Sequence, residues 1–480
     1  MTNKYQSAFP RPAVTLLVFF LFSIYFGCLS FERLIAKDEG FYVLASKLVA
    51  QGRTPYFDFF YPQMPLLPYV YGLLIKLFGS SWHLMRGFTG VLAASMGTLV
   101  FVHAYHARSL SVAVFAALAF ALCNFVFPWH LTVQTYALST AFLFGSYVAV
   151  EWSRYRHAHI FAGLLFGLSV CSRLFFAGLF PLFLLLLIRN EDSWRKSFNA
   201  TLWFSLGCLI GVSPCFYFML VDFDTFFFNN LGYHLHRTAL SPDQAWQNKM
   251  RILHVIFGFH NSVKFDAPHL PILLWVAIGG SCLIRICGLR VHNSLFIAAG
   301  LLVLNLLPTP SYVQYYCTLI PFLLCTCVVV ASQLHMLSTQ FRWIYWIVLI
   351  VLFGLYGNSS YRDIIRYTRT GEGVIGIRSE ENAAYWNVQE VTKVSQFVDR
   401  SIPADKELMS IWPGYLFETH AKPLPGLENH FGPRIAPQLT KLERQRYHVI
   451  TLKEVAGQIQ SPEEHYVLDY DRATKRNLLT

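Results

Sequence analysis

Two adjacent carboxylates, Asp38 and Glu39, stand just beyond the first long apolar run of the chain. At the surface of a membrane they would face anionic headgroups, an unfavourable place for acids without a purpose. One purpose is general-base catalysis, with the neighbouring acid holding a metal or the acceptor. Residues i and i+1 of a helix do not share a face. Both therefore cannot reach one atom, and Asp38 is the candidate base. The same acids also suit a helix N-terminus, where they meet the positive end of the helix dipole. Asp58, between Phe57 and Phe59, is a second candidate. Its aromatic neighbours would exclude water and sharpen the effect of its charge. Turn capping ahead of Pro62 is the alternative.

The cations fall into a comparable pattern. Arg173 lies between two short apolar runs. Arginine at membrane depth is costly and usually has a partner, and a lipid-borne phosphate matches the guanidinium fork; snorkelling to the interface is the other reading. Arg86 opens the second span and suits either a phosphate contact or an interfacial anchor. His234, His236 and Arg237 cluster in the second long loop; on an extended segment the two histidines would share a metal, although no third ligand is evident. Tyr312, Gln314, Tyr315 and Tyr316 suit an aromatic belt or a platform for sugar or lipid. No phosphate-binding Gly-Lys loop, dinucleotide fingerprint or nucleophile elbow is present, so a reaction outside the cytoplasm would draw on a substrate activated on a membrane carrier.

The elements that must position these residues are membrane spans. The 480 residues are 55% hydrophobic and only 14% charged, against about 25% charged in soluble domains. Apolar runs at about 13–30, 84–106, 110–128, 131–150, 159–172, 175–189, 199–221, 269–289, 293–308, 314–334 and 342–358 predict about eleven transmembrane helices. The first run lacks a clear cleavage site and reads as an uncleaved span. Lys and Arg recur in alternate short connections, which places the N-terminus in the cytoplasm. The long segments at about 31–83, 222–268 and 359–480 then lie outside. The formal charge of +11 reflects this topology signal; no soluble basic face is available for nucleic acid. All ten cysteines lie in apolar runs, so no disulfide framework is implied.

Within the first loop, Glu39 to Ala50 predicts an amphipathic helix in the interface, with Phe41, Leu44, Leu48 and Val49 near one side. Gly52 stops it, Pro55, Pro62, Pro65 and Pro68 break the chain, and Leu66 to Phe78 is a second apolar piece. The tail reads as a small α/β region: a helix over Glu390–Val398 and short strands at Val449–Leu452 and Tyr466–Leu468. The expected architecture is an all-α polytopic membrane protein, residues 1–358, with amphipathic juxtamembrane helices in its first loop and a soluble C-terminal region, 359–480.

The first loop resembles that of the C-type glycosyltransferase superfamily (GT-C fold), in its protein-mannosyltransferase and aminoarabinose-transferase-like branch. The matching residues are Asp38-Glu39-Gly40-Phe41-Tyr42, Gly52, Tyr56, Asp58, Tyr61-Pro62, Pro65-Leu66 and Leu77-Phe78-Gly79. Looser matches are Arg173 after Gly167-Leu168, Tyr315-Tyr316 ahead of Pro321-Phe322, and the tail from Glu390 through Ile402-Pro403-Ala404-Asp405, Trp412 and Tyr415. Gln63-Met64 stands where many relatives have Lys, so Arg173 or Arg86 would have to replace it.

The resemblance implies transfer of one sugar, with inversion, from a polyprenyl-phosphate carrier (undecaprenyl or dolichyl) to an acceptor on lipid, glycan or protein. Asp38 would be the general base, with Glu39 and Asp58 assisting acceptor or metal. Arg173 and Arg86 would meet the donor phosphate, with a divalent cation (Mg or Mn) as a potential helper. Tyr42, Tyr56, Tyr61, Gln63, His234, His236, Arg237, Gln314, Tyr315 and Tyr316 would line the cavity. The expected setting is a bacterial inner membrane, with the endoplasmic reticulum as the alternative, and membrane lipids are further partners. A secondary transporter and a non-catalytic scaffold are the competing readings; few ionisable residues deep in the spans speak against the first.

Overall fold

The computed structural model describes residues 10–152, 156–237, 240–259, 268–337, 342–372, 374, 383–404, 406–459 and 466–468. The apolar runs are helical over most of their length, as a chain that must satisfy its backbone without water requires. Five helices are long and apolar enough to cross a membrane among the described residues: Pro12–Glu32, Trp82–Ala107, Trp194–Val221, His269–Ile286 and Val313–Gln333. The chain is an all-α multi-pass membrane protein with a small sheet near its C-terminus. Some hydroxyl groups inside the helices bond back to their own turns, Thr98 to the Ala94 carbonyl at 2.8 Å and Ser95 to that of Val91 at 2.9 Å, so these two side chains do not meet lipid unpaired.

The run at 110–128 departs from expectation. Its helix ends at Ala121, and a separate short helix occupies Phe127–His130. Asn124 explains the break: its N–H donates to Nδ1 of His269 at 2.8 Å instead of to a helical carbonyl.

Two contact units organise the chain. The first comprises residues 1–33, 86–212 and 240–380, and the second 34–85, 213–239 and 381–480. In the first unit, the helix Arg156–Ser172 crosses Trp194–Val221 at glycines. A Cβ on Gly163 would lie 2.0 Å from the Phe204 carbonyl oxygen, and one on Gly207 would lie 2.1 Å from that of Ile160. Only residues without side chains allow this approach.

In the second unit, the first-loop helices Glu39–Ala50 and Leu66–Phe78 pack closely at Gly72, where a Cβ would sit 3.0 Å from the Ser46 carbonyl oxygen. The first of these helices was expected to bury one side. It buries every residue from Glu39 to Leu48. Lys47 is kept inside because its amine donates to the carbonyls of Leu416 and Thr419. The tail helix spans Val388–Ser401 and is capped by Asn387, whose side chain accepts from the Glu390 N–H at 2.9 Å. A parallel sheet follows, β1 (Glu407–Ser410) lying between β2 (Lys422–Pro423) and β3 (Tyr466–Leu468). The strand expected at Val449–Leu452 is instead the entry to a helix, Leu452–Ile459. Thr451 and Glu454 exchange capping bonds there, Glu454 N–H to Thr451 Oγ1 at 3.1 Å and Thr451 N–H to Glu454 Oε2 at 2.9 Å. These bonds commit the backbone to a helix start.

Candidate functional site

Asp38 is the residue before the helix Glu39–Ala50, in αR conformation. Its side chain is 47% exposed, and its Oδ1 lies 3.5 Å from Nε2 of His430, whose side chain is only 3% exposed. That distance is longer than a formed hydrogen bond, and neither ring nitrogen of His430 has a hydrogen-bond partner among the described residues. Burial holds the His430 imidazole below the usual histidine range, with Asp38 opposing the effect. A neutral ring carries one N–H to donate.

Glu39 has a different place. It is fully buried, and its Oε1 accepts the Ala36 N–H at 2.6 Å. This bond closes the turn that carries Asp38. The adjacent acids are thus divided between an accessible carboxylate and a buried one that shapes its support. Asp58 is exposed, and its Oδ2 accepts the Thr54 N–H at 2.5 Å.

The first-loop aromatics surround the same unit. Tyr42 is buried, with its ring centroid 6.3 Å from that of Tyr61. Tyr56 is buried at a φ of +74°. Its hydroxyl donates to the Gln63 carbonyl at 2.6 Å, and its N–H to Phe59 at 3.0 Å. These bonds stabilise a left-handed conformation that a bulky residue seldom adopts. Tyr61 is fully buried; its N–H donates to Asn229 at 3.1 Å and its hydroxyl has no hydrogen-bond partner. Gln63 is half-buried.

His234 and His236 lie on the short helix Tyr233–His236 rather than on an extended segment, which corrects the sequence expectation. Two residues apart on a helix, they do not face one point. Among the described residues no three His, Cys, Asp or Glu side chains are placed to hold a metal ion. His234 and Arg237 are half-buried, and His236 is exposed.

In the first unit, Arg173 adopts an extended conformation between the helix Arg156–Ser172 and a 3-10 turn over Leu174–Leu179. It is 7% exposed. Its guanidinium carbon lies 4.8 Å from the ring centroid of Tyr136 and 4.8 Å from that of Tyr315, with Phe176 at 6.0 Å. Nε has no hydrogen-bond partner. Gln314 and Tyr315 are half-buried and Tyr316 fully buried, all on the 3-10 turn Val313–Leu319.

Arg86 is fully buried. Its Nη1 donates to the carbonyls of Ser30 at 2.8 Å and Arg33 at 3.0 Å. It thereby satisfies acceptors left open at the end of the helix Pro12–Glu32.

His430 was not found in the sequence. It lies far along the chain from Asp38, within Asn429-His430-Phe431, where no spacing rule connects it to the first loop. Tyr136, one of the two rings on Arg173, was missed for the same reason.

No protein-family model matches the sequence, and no curated protein sequence matches it significantly. Solved structures do. The chain is similar to ArnT from Cupriavidus metallidurans bound to undecaprenyl phosphate, with TM-score 0.61 and 13% identity over 97% of this chain and 93% of that one. It is similar also to the apo state of the same protein, with TM-score 0.60, 13% identity and the same coverages. At this identity the likeness is one of fold: the chain has the GT-C architecture of ArnT.

Proposed function

We propose that this chain is a glycosyltransferase that takes one sugar from a polyprenyl-phosphate donor and passes it to an acceptor outside the cytoplasm. The observation that carries the reading is the Arg173 guanidinium, buried against two tyrosines with its Nε lacking a hydrogen-bond partner among the described residues, in a fold shared with a protein crystallised with undecaprenyl phosphate. A buried cation of this kind calls for an anion, and a carrier phosphate supplies one.

In this reading Asp38 accepts the proton of the acceptor hydroxyl. The acceptor oxygen attacks the anomeric carbon as the bond from that carbon to the phosphate oxygen breaks, with inversion. The departing phosphate keeps the bonding electrons, and Arg173 meets its growing charge. Arg86 is assigned to the helix end that it caps, and Glu39 to the turn that it closes. No step is assigned to a divalent cation, since no three suitable side chains converge among the described residues. Each role rests on the surroundings of the residue itself.

The test is turnover by the purified full chain in lipid, with a panel of radiolabelled polyprenyl-phosphate sugars. The wild type should transfer or release one sugar and Asp38→Asn should not, at equal expression and melting temperature. Full turnover by Asp38→Asn would remove the base from the mechanism. Absence of turnover and of thermal stabilisation by every carrier would remove the reading itself.

A further inference from the structure

We propose that His430, in the tail, is the positioning residue of Asp38, so that the tail completes the reactive turn of the first loop. The proposal rests on the assignment of Asp38 as base. Its geometry lies wholly within the second unit.

Residues 35–41 are held at several points by the tail. The Ile35 N–H donates to the Trp386 carbonyl at 2.6 Å. Trp412 Nε1 donates to the Lys37 carbonyl at 2.7 Å. At Gly40 a Cβ would lie 2.7 Å from the Gly414 nitrogen and 2.8 Å from the Trp412 ring, so only glycine lets the tail come this close. Phe41 meets the His430 ring at 5.7 Å and that of Phe431 at 5.6 Å. His430 is itself fixed by its turn, in which Asn429 accepts from the N–H groups of Phe431 at 3.0 Å and Gly432 at 2.9 Å.

The contact of His430 with Asp38 is the one that touches the carboxylate rather than the backbone. Nε2 faces Oδ1 at 3.5 Å. Neither ring nitrogen has a hydrogen-bond partner among the described residues, so a neutral imidazole that closed this gap by a few tenths of an ångström would donate to Oδ1, fix the rotation of the carboxylate and leave Oδ2 for the acceptor proton. The titratable groups around the ring are Asp38, Lys37 and Arg434; the aromatic faces are Phe41 and Phe431. A buried ring against a half-exposed carboxylate is the arrangement expected of an orienting group, since the anchor is rigid and the base stays open to its substrate.

The experiment uses the full chain in nanodiscs. His430→Phe keeps a ring and removes the donor; His430→Gln restores an N–H at similar reach; His430→Asn is too short. His430→Phe should lower kcat by roughly ten- to a hundred-fold, the scale of a misplaced reacting group, with the donor KM within about twofold. Gln should recover most of the loss and Asn should not. If the Phe variant does not fold, the comparison of Gln with Asn carries the same test.

A second readout needs no turnover. Exchange of the His430 C2 hydrogen with deuterium, followed by mass spectrometry, reports where the ring titrates. Asp38→Asn should move that midpoint to lower pH, because the Asp38 charge favours the protonated ring. Unchanged exchange in Asp38→Asn, or kcat in His430→Phe within twofold of wild type, would overturn the inference. Equal losses in Phe and Gln would also overturn it, as the mark of a packing role. An inactive Asp38→Asn beside a fully active His430→Phe would sink the positioning role alone; an active Asp38→Asn would sink the assignment of the base.

Discussion

Replacing Arg173 by Lys keeps the charge and removes the fork. In the structure the guanidinium carbon lies 4.8 Å from the ring centroids of both Tyr136 and Tyr315, which are themselves 6.4 Å apart. Stacked contacts of this kind are worth up to about 2 kcal/mol each when desolvated. An anion would be met by the N–H edges. An edge that binds phosphate through two bonds loses one of them in the lysine variant. A hydrogen bond to a charged group is worth about 1.5–3 kcal/mol, which corresponds to roughly ten- to 150-fold weaker binding. Arg173→Gln loses the charge as well and should bind more weakly still. The assay is titration of polyprenyl phosphate into the full chain in nanodiscs, with the phosphate-free polyprenol as control. The control separates the phosphate contact from the lipid contact. Phosphate binding by Arg173→Lys within twofold of wild type would refute the argument. So would an equal loss with polyprenol, because the residue would then support the lipid groove and not the charge.

Two further perturbations probe the packing. Burial lowers the pKa of Lys47 from 10.5 to about 8. A depressed lysine pKa means that stability is fully present above 10.5 and declines as the pH falls through 8. Thermal unfolding of Lys47→Met should therefore show its melting temperature gaining on wild type as the pH falls across that window; parallel curves would argue against a buried ammonium. Gly207→Val would force a side chain onto the Ile160 carbonyl oxygen, where a Cβ already lies 2.1 Å away. A loss of about 1–3 kcal/mol is expected, measured as a lower melting temperature, with little change in Gly279→Ala, whose Cβ meets nothing within 4 Å.

The spans were legible because apolar length is a local property. The sequence separated Asp38 from Glu39 only by helix geometry; it did not show that Glu39 is buried with its carboxylate on the Ala36 N–H. What escaped the sequence was set by distant partners. The 110–128 run stops early because Asn124 bonds to His269. Val449–Leu452 looks like a strand by composition, yet Thr451 and Glu454 fix a helix start. The two histidines of the second long loop suggested a metal pair only while the segment was taken as extended; on a helix the pairing disappears. His430 illustrates the limit most clearly, because nothing near it in the sequence refers to the first loop.

The buried cations separate structural roles from the functional one proposed. Among the described residues the buried Lys and Arg are Arg33, Lys47, Arg86 and Arg173. Arg33 donates through Nε to the Pro128 carbonyl at 3.0 Å. Arg86 donates to Ser30 and Arg33, and Lys47 to Leu416 and Thr419. Each of these three spends its charge on carbonyls that the fold leaves open, and removal would expose a cost in the protein itself. Arg173 differs: its Nε has no hydrogen-bond partner, and its neighbours are the rings of Tyr136, Tyr315 and Phe176. Aromatic faces orient a guanidinium without neutralising it. A fold gains little by burying such a group for its own stability, because desolvation is unfavourable and a hydrophobic residue would pack as well. The arrangement makes sense when an anion arrives from outside the protein. That asymmetry is why the phosphate role falls to Arg173 rather than to Arg86, although the sequence offered both.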